Sequence, residues 1–223
     1  MLNKRTFTLA TNRFLFFSLI FLSIFTYTFA KFADELLEKE LFKFDVMVMD
    51  WVQAWINPQL TWIMKFFTFI GSVNTIIFLV ILSSILMVWQ KKKWEALFLF
   101  FASAGGGLFN QLLKWIFQRQ RPNVLRLIDV SGYSFPSGHA MGSIIFFGMI
   151  GYFLILFVEK KNIKIGIGIL AALVIFMIGL SRVYLGVHYP SDVLAGFAAG
   201  GAWLLVSLIG LRIIVDLRNE KNK

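Results

Sequence analysis

Six long runs of apolar residues dominate the chain, over residues 14–30, 66–89, 94–117, 141–158, 165–184 and 193–215. Each is close to the roughly 20 residues that an α-helix needs to cross the hydrocarbon of a bilayer. In that medium every backbone amide must be paired within its own segment, so runs of this length predict helices; barrel strands would be shorter and would alternate. The expected fold class is all-α, a polytopic membrane protein of six transmembrane helices that forms one integral membrane domain over 1–223. Between the first two runs the pattern changes. Leu37, Leu41, Phe44, Val48, Trp51 and Trp55 recur at spacings of four and three, while Asp34, Glu38, Lys39 and Asp45 fall elsewhere. This predicts an amphipathic helix over 34–57, lying at the outer interface with its tryptophans at headgroup depth or serving as a lid.

Composition agrees with the pattern. The 223 residues are 58% hydrophobic and 15% charged, with a mean hydropathy of +0.76, whereas a soluble domain carries charge on about a quarter of its residues. Cysteine is absent, which excludes disulfides, thiolate nucleophiles and zinc–cysteine sites; with only His139 and His188, a histidine-rich metal centre is excluded too. No metal and no cofactor are expected. Twenty-two Lys and Arg against 12 Asp and Glu give +10, which in this setting points to basic cytoplasmic flanks and an anionic ligand rather than to nucleic acid. The clusters Lys4, Arg5 and Arg13, then Lys91, Lys92 and Lys93, then Lys160, Lys161 and Lys164, then Arg212, Arg218, Lys221 and Lys223 fall on one side of a six-span serpentine. The positive-inside rule makes that side, and both termini, cytoplasmic. The first run also resembles a cleavable leader, through its basic start and Thr28-Phe29-Ala30, and the orientation of the rest is the same either way. Gly105-Gly106-Gly107 and the pair Gly196 and Gly200 are expected to let helices approach closely.

Ionisable residues near span ends are costly in a bilayer and mark function by default. Three groups stand out: Lys114 with Arg121-Pro122 where the third span ends; Pro136-Ser137-Gly138-His139 where the fourth begins; and Ser181-Arg182 at the end of the fifth, with His188 and Asp192 at the start of the sixth. Consecutive spans alternate in direction, so these four ends share one side, the outer one. The residue types suit a phosphate ester. A phosphoryl group in transfer spreads negative charge over its oxygens and needs fixed cations and amide donors. Lys114, Arg121 and Arg182 supply the cations, two of them as planar forks. Helix persisting to Arg121 would set Lys114 and Arg121 two turns apart on one face, and Pro122 then turns the chain out. Pro136 is placed to open a helix, leaving the amides of Ser137, Gly138 and His139 as an anion site, with the Ser137 hydroxyl as a further donor and Gly138 allowing close approach. Asp192, in the first turn after Pro190, can reach back to His188 and free the other ring nitrogen. Spacing alone does not say which histidine attacks, although the adjacent carboxylate favours His188. Asn110 is expected to bond between helices, and Arg119 and Arg126 read as loop charges that have a secondary chance of meeting a second phosphate or headgroup.

Together the three groups resemble the signature of the type 2 phosphatidic acid phosphatase superfamily, K-x6-R-P, then P-S-G-H, then S-R-x5-H-x3-D, matched here without substitution from Lys114 to Asp192. The N-terminal third carries no motif of its own. The resemblance implies a helical-bundle lipid-phosphate phosphatase that works without metal, with His188 as the nucleophile forming a phosphohistidine, His139 as the acid for the leaving alkoxide, Asp192 orienting His188, and Lys114, Arg121, Ser137, Gly138 and Arg182 binding phosphate. It further implies a multi-pass cell-membrane protein similar to the bacterial members, with its site on the extracytoplasmic side. Its partners would be a membrane lipid and the bilayer, with no nucleic acid and no obligate protein partner. Phosphatidylglycerophosphate and phosphatidic acid are the expected substrates; undecaprenyl diphosphate, phosphotransfer to a lipid or sugar hydroxyl, and non-catalytic lipid binding are the alternatives. Opposite protonation of the two histidines predicts a bell-shaped rate in pH.

Overall fold

The computed structural model describes the backbone of residues 4–123 and 125–221, with side chains over 12–123 and 125–216. Lys4, Arg5, Arg218, Lys221 and Lys223 of the basic clusters lie outside the described side chains. The described residues form helices α1 (Lys4–Leu37), α2 (Phe42–Gln53), α3 (Pro58–Ile70), α4 (Val73–Trp89), α5 (Lys93–Phe117), α6 (Gly138–Phe157), α7 (Lys161–Tyr184) and α8 (Pro190–Lys221) and contain no strand. Five of them, α1, α5, α6, α7 and α8, are long and apolar enough to cross a membrane, and the bent pair α3 and α4 is so when taken together.

That bent pair corrects the continuous helix expected over 66–89. The chain turns by 51° between α3 and α4, because both sides of the break carry their own start signals. Asn57 caps α3 by accepting from the Leu60 amide, with Pro58 in the first turn, and Ser72 caps α4 by accepting from the Thr75 amide. Such caps are worth about 1 kcal/mol each. At 1.5 Å per residue, α3 rises only about 20 Å, short of a hydrocarbon core of roughly 30 Å. Gly71 at the bend lies where any Cβ would strike Ile178 on α7 and approach the His139 ring at 3.4 Å.

The amphipathic helix expected over 34–57 is corrected as well. α1 runs on to Leu37, the chain turns at Lys39 with positive φ, and helix resumes only at Phe42. Leu37, Trp51 and Trp55 point outward, while the face turned into the bundle carries Asp45, Met49 and Val52. These three stand at i, i+4 and i+7, one face of a helix. Asp45, counted with the polar face, is fully buried.

α6 is the central helix, packed on α5, α7 and α8, while α1 lies along α8. Met141, Ile145, Met149 and Phe153 of α6 meet Leu99, Ala102 and Ala199 in one buried cluster. Small residues set these distances as expected: a Cβ on Gly196 would meet the Ser137 carbonyl at 2.7 Å, and one on Gly200 the Met141 carbonyl at 2.8 Å. Gly105 and Gly106 make room for Trp203, but Gly107 faces open space. Lys92 lies over the Phe157 ring, which brings the basic cluster before α5 beside the one after α6. The polar groups of the third to sixth spans gather at the opposite end. The large exposed apolar side chains, among them Phe16, Phe78, Phe101 and Leu170, belong to the flanks of a protein whose solvent is lipid.

Candidate active site

A cavity of about 710 Å³ opens between the ends of α5, α6 and α7, and Lys114, Arg121, Gly138, His139, Arg182 and His188 line it. The three sequence groups therefore meet in one space. How they arrive there differs from the expectation. α5 stops at Phe117, and Gln118 takes a left-handed conformation with φ 43°, so Lys114 and Arg121 do not share a helical face. The chain loops back instead, and Lys114 Nζ donates to the Tyr133 carbonyl at 2.5 Å while Arg121 donates to the carbonyls of Gly132, Ser131 and Val187 at 2.9, 3.1 and 2.8 Å. Both cations are held by backbone oxygens, which fixes their direction while keeping their charge.

α6 begins two residues later than expected, at Gly138, with Ser137 at its cap and Phe135-Pro136 in cis. The Ser137 amide donates to the Asp192 carbonyl at 2.9 Å. It is therefore spent on a chain contact, and the free helix-start amides facing the cavity are those of Gly138 and His139. The Ser137 hydroxyl is buried without a partner among the described residues. Asn110, as expected, bridges helices by donating to the Pro136 carbonyl at 3.3 Å, and it also explains Gly138: a Cβ there would meet Asn110 Oδ1 at 2.9 Å.

Arg182 is almost wholly buried. Its NH1 donates to Thr68 Oγ1 of α3, and its Nε is buried with no partner among the described residues. The turn from α7 to α8 depends on Gly186, whose φ of +71° and whose distance to the Leu125 carbonyl, 2.2 Å from where a Cβ would stand, leave no room for a side chain. Beyond that turn His188 is sealed in. Its Nδ1 lies 3.4 Å from Asp192 Oδ2 and 3.3 Å from Ser134 Oγ, and its Nε2 lies 3.1 Å from Arg121 NH1. A guanidinium cannot accept, so Nε2 must be the acceptor and the proton sits on Nδ1. Burial pushes the His188 pKa down to about 3, Arg182 and Arg121 add to the push, and Asp192 opposes it. The imidazole is neutral at physiological pH with its lone pair on the cavity side.

Asp192 binds through both oxygens. Oδ2 accepts from Ser134 Oγ and from the Tyr189 amide at 2.9 Å, and Oδ1 accepts from Arg119 NH1 at 2.7 Å. Arg119 is thus no loose loop charge. Burial works against its charge, and the carboxylates of Asp192 and Asp45 outweigh that and raise its pKa. Arg126 does serve the loop, donating to the Pro122 carbonyl. His139 is partly exposed at the cavity wall, and its ring makes no hydrogen bond to the described residues. Sequence reasoning missed Arg119, Asp45, Ser134 and Thr68. Arg119 and Asp45 left a trace, the first lying inside the K-x6-R-P block and the second in register with Met49 and Val52.

Comparison with known proteins agrees with this geometry. The model of the PAP2 superfamily matches residues 95–213. Phosphatidylglycerophosphatase B of Bacillus subtilis is 34% identical over 192 residues, covering 84% of this chain and 87% of that protein. Lipid A 1-phosphatase of Rhizobium johnstonii is 34% identical over 127 residues, 52% of this chain and 48% of its own length. The crystal structure of the transmembrane PAP2-type phosphatidylglycerolphosphate phosphatase from Bacillus subtilis superposes with a TM-score of 0.79 at 27% identity, over 84% of this chain and 94% of that one. With the family model covering more than half of the chain and the relative 84% of it, this protein belongs to the PAP2 superfamily and is one of its polytopic membrane lipid phosphatases.

Proposed function

We propose that the protein acts as one integral membrane domain that hydrolyses lipid phosphomonoesters, phosphatidylglycerophosphate and phosphatidic acid, through a phosphohistidine on His188. The observation that carries this reading is His188 Nε2, 3.1 Å from Arg121 NH1 at a cavity lined by Lys114, Arg121 and Arg182. The phosphoryl oxygens take the place that these cations and the Gly138 and His139 amides surround, with the Ser137 hydroxyl as a further donor. Arg121 NH1 exchanges Nε2 for a phosphoryl oxygen, which frees the lone pair. Nε2 then attacks phosphorus, the P–O ester bond breaks, and His139 gives its proton to the leaving alkoxide. Asp192 stabilises the imidazolium side through Nδ1–H. In the second half His139 takes a proton from water, the oxygen attacks phosphorus, the P–N bond breaks, and inorganic phosphate leaves with His188 restored.

The charge for this chemistry comes from side chains, so the mechanism requires no metal. Basic clusters at the far end of the bundle support a cell-membrane protein with cytoplasmic termini and an extracytoplasmic site, where a lipid enters from the leaflet with its tail still in hydrocarbon. The kinship to phosphatidylglycerophosphatase B supports the choice of substrate. The test is phosphate release by detergent-purified protein in EDTA, from phosphatidylglycerophosphate, phosphatidic acid and undecaprenyl diphosphate in parallel, with His188→Ala as control. Release that persists in EDTA, disappears in the variant and is fastest for a monoester supports the reading. Faster release from the diphosphate reassigns the substrate, and no release from any of them favours a transferase or a binding protein.

A further inference from the structure

The carboxylate behind His188 is held by a residue at an unspecified position of the K-x6-R-P block, Arg119. Arg119 sits in the loop after α5 with its side chain largely buried. NH1 donates to Asp192 Oδ1 at 2.7 Å and to Ser191 Oγ at 2.8 Å, NH2 donates to Asp45 Oδ2 at 2.6 Å, and the guanidinium lies 4.0 Å over the Tyr189 ring. Asp45 comes from α2, 147 positions before Asp192 in the sequence. It is fully buried, and besides Arg119 it accepts from the Ser191 amide at 2.9 Å and the Ser191 hydroxyl at 2.7 Å.

We propose that Arg119 is a positioning residue for Asp192 and that Asp45, delivered by α2, holds Arg119 in place, so that α2 sets the orientation of the nucleophile's carboxylate partner. This rests on the reading of His188 as the nucleophile. A carboxylate turns about its Cβ–Cγ bond, and Oδ2 presents the right lone pair to His188 only if the plane is fixed. Arg119 fixes it by taking Oδ1, and it does so as a fork whose second nitrogen is anchored elsewhere. A guanidinium free on that side would follow Asp192 instead of restraining it. Asp45 also caps α8 in trans: the Ser191 amide is one of the unpaired donors at the helix start, and a carboxylate there is favoured by the helix dipole. The first turn of α8 carries Asp192, so the same acid steadies both the backbone and the side chain of the residue it serves. Arg119, lying between the two carboxylates, opposes the burial that raises the Asp45 pKa, in a dry setting where an unpaired charge would be costly.

The experiment is a double-variant cycle with Arg119→Gln and Asp45→Asn, measured as kcat and KM for short-chain phosphatidic acid in detergent, beside wild type and His188→Ala. Each single variant is expected to lose about tenfold in kcat with KM within about twofold, as for other residues that orient a reacting group. The double variant is expected to lose about as much as the worse single one, because the two act through one carboxylate. Arg119→Lys, which keeps the buried charge but reaches only one carboxylate, is expected to fall between wild type and Arg119→Gln, and it takes the place of Arg119→Gln in the cycle if that variant does not fold. Unchanged kcat in folded Arg119 variants, losses that multiply in the double variant, or a rise in KM at constant kcat would each overturn the proposal. Turnover retained in His188→Ala would instead sink the nucleophile reading, which separates the two failures.

Discussion

The two histidines line one cavity and are held in opposite ways. His188 is almost fully buried, with Asp192 and Ser134 at Nδ1, Arg121 at Nε2, and Arg119 and Asp45 behind the carboxylate. His139 is partly exposed on the first turn of α6 and its ring touches no hydrogen-bonding partner among the described residues. The difference follows the work proposed for each. An attacking atom gains from having its direction and tautomer fixed beforehand, since that orientation need not be found during the reaction. A proton donor must meet an oxygen that belongs to the substrate, so its partner arrives with the lipid. Burial is extreme where the geometry must be preset and relaxed where the ligand completes it.

The strongest way to break this comparison is His188→Ala. Loss of the fixed wall is expected to lower kcat by about 10⁴-fold or more, the order seen when a nucleophile is removed from such a set, while a lipid phosphate still binds the cations. Phosphate release within tenfold of wild type would end the assignment of His188. A smaller loss, about 10²- to 10⁴-fold, is expected for His139→Gln on phosphatidic acid. It should shrink on p-nitrophenyl phosphate, whose leaving group departs without protonation; an equal loss on both substrates would mean that His139 binds rather than protonates. Arg182→Lys keeps the charge and loses the fork, so kcat should fall by about 10²-fold, the cost of one missing oxyanion donor. Thr68→Val, which removes only the support of that fork, should cost about tenfold or less, and unchanged kinetics in both variants would take Arg182 out of the phosphate site. The last test moves no rate at all. With two histidines in the chain, ¹⁵N-histidine NMR assigned through His139→Gln should show His188 as the neutral Nδ1–H tautomer with no titration between pH 8 and 5, since its pKa is held near 3. This refines the bell-shaped profile expected from sequence, because it removes His188 as the source of an acidic limb. A His188 resonance titrating near 6.5 would show that the wall is not sealed.

Much of the architecture was legible because bilayer solvation is a severe filter. The runs over 94–117, 141–158, 165–184 and 193–215 fall on the helices α5 to α8, since helix satisfies the backbone within each run. The run over 66–89 misled because hydropathy registers apolarity and not direction: one helix starts before it at Asn57-Pro58 and a second starts within it at Ser72, and local capping decided the bend. The segment over 34–57 misled for another reason. It reads as one helix with Asp45 on its polar face, yet the helix breaks at Lys39 and Asp45 turns in, because Asp45 has Arg119 and Ser191 to meet there.

By itself the sequence determined the helical class and the end of the bundle at which the polar groups collect. It also singled out the candidate set Lys114, Arg121, Ser137, Gly138, His139, Arg182, His188 and Asp192, because motif spacing and alternating spans are properties of the chain read in order. The tertiary structure alone decided how that set is held. Carbonyls of a returning loop aim Lys114 and Arg121, Thr68 supports Arg182, and an acid from α2 reaches across to the start of α8. These partners lie up to 146 positions away in the chain. A hydrogen bond depends on distance and angle in space, and a buried charge finds its partner wherever the packed helices bring one, so no spacing rule along the sequence could have contained them.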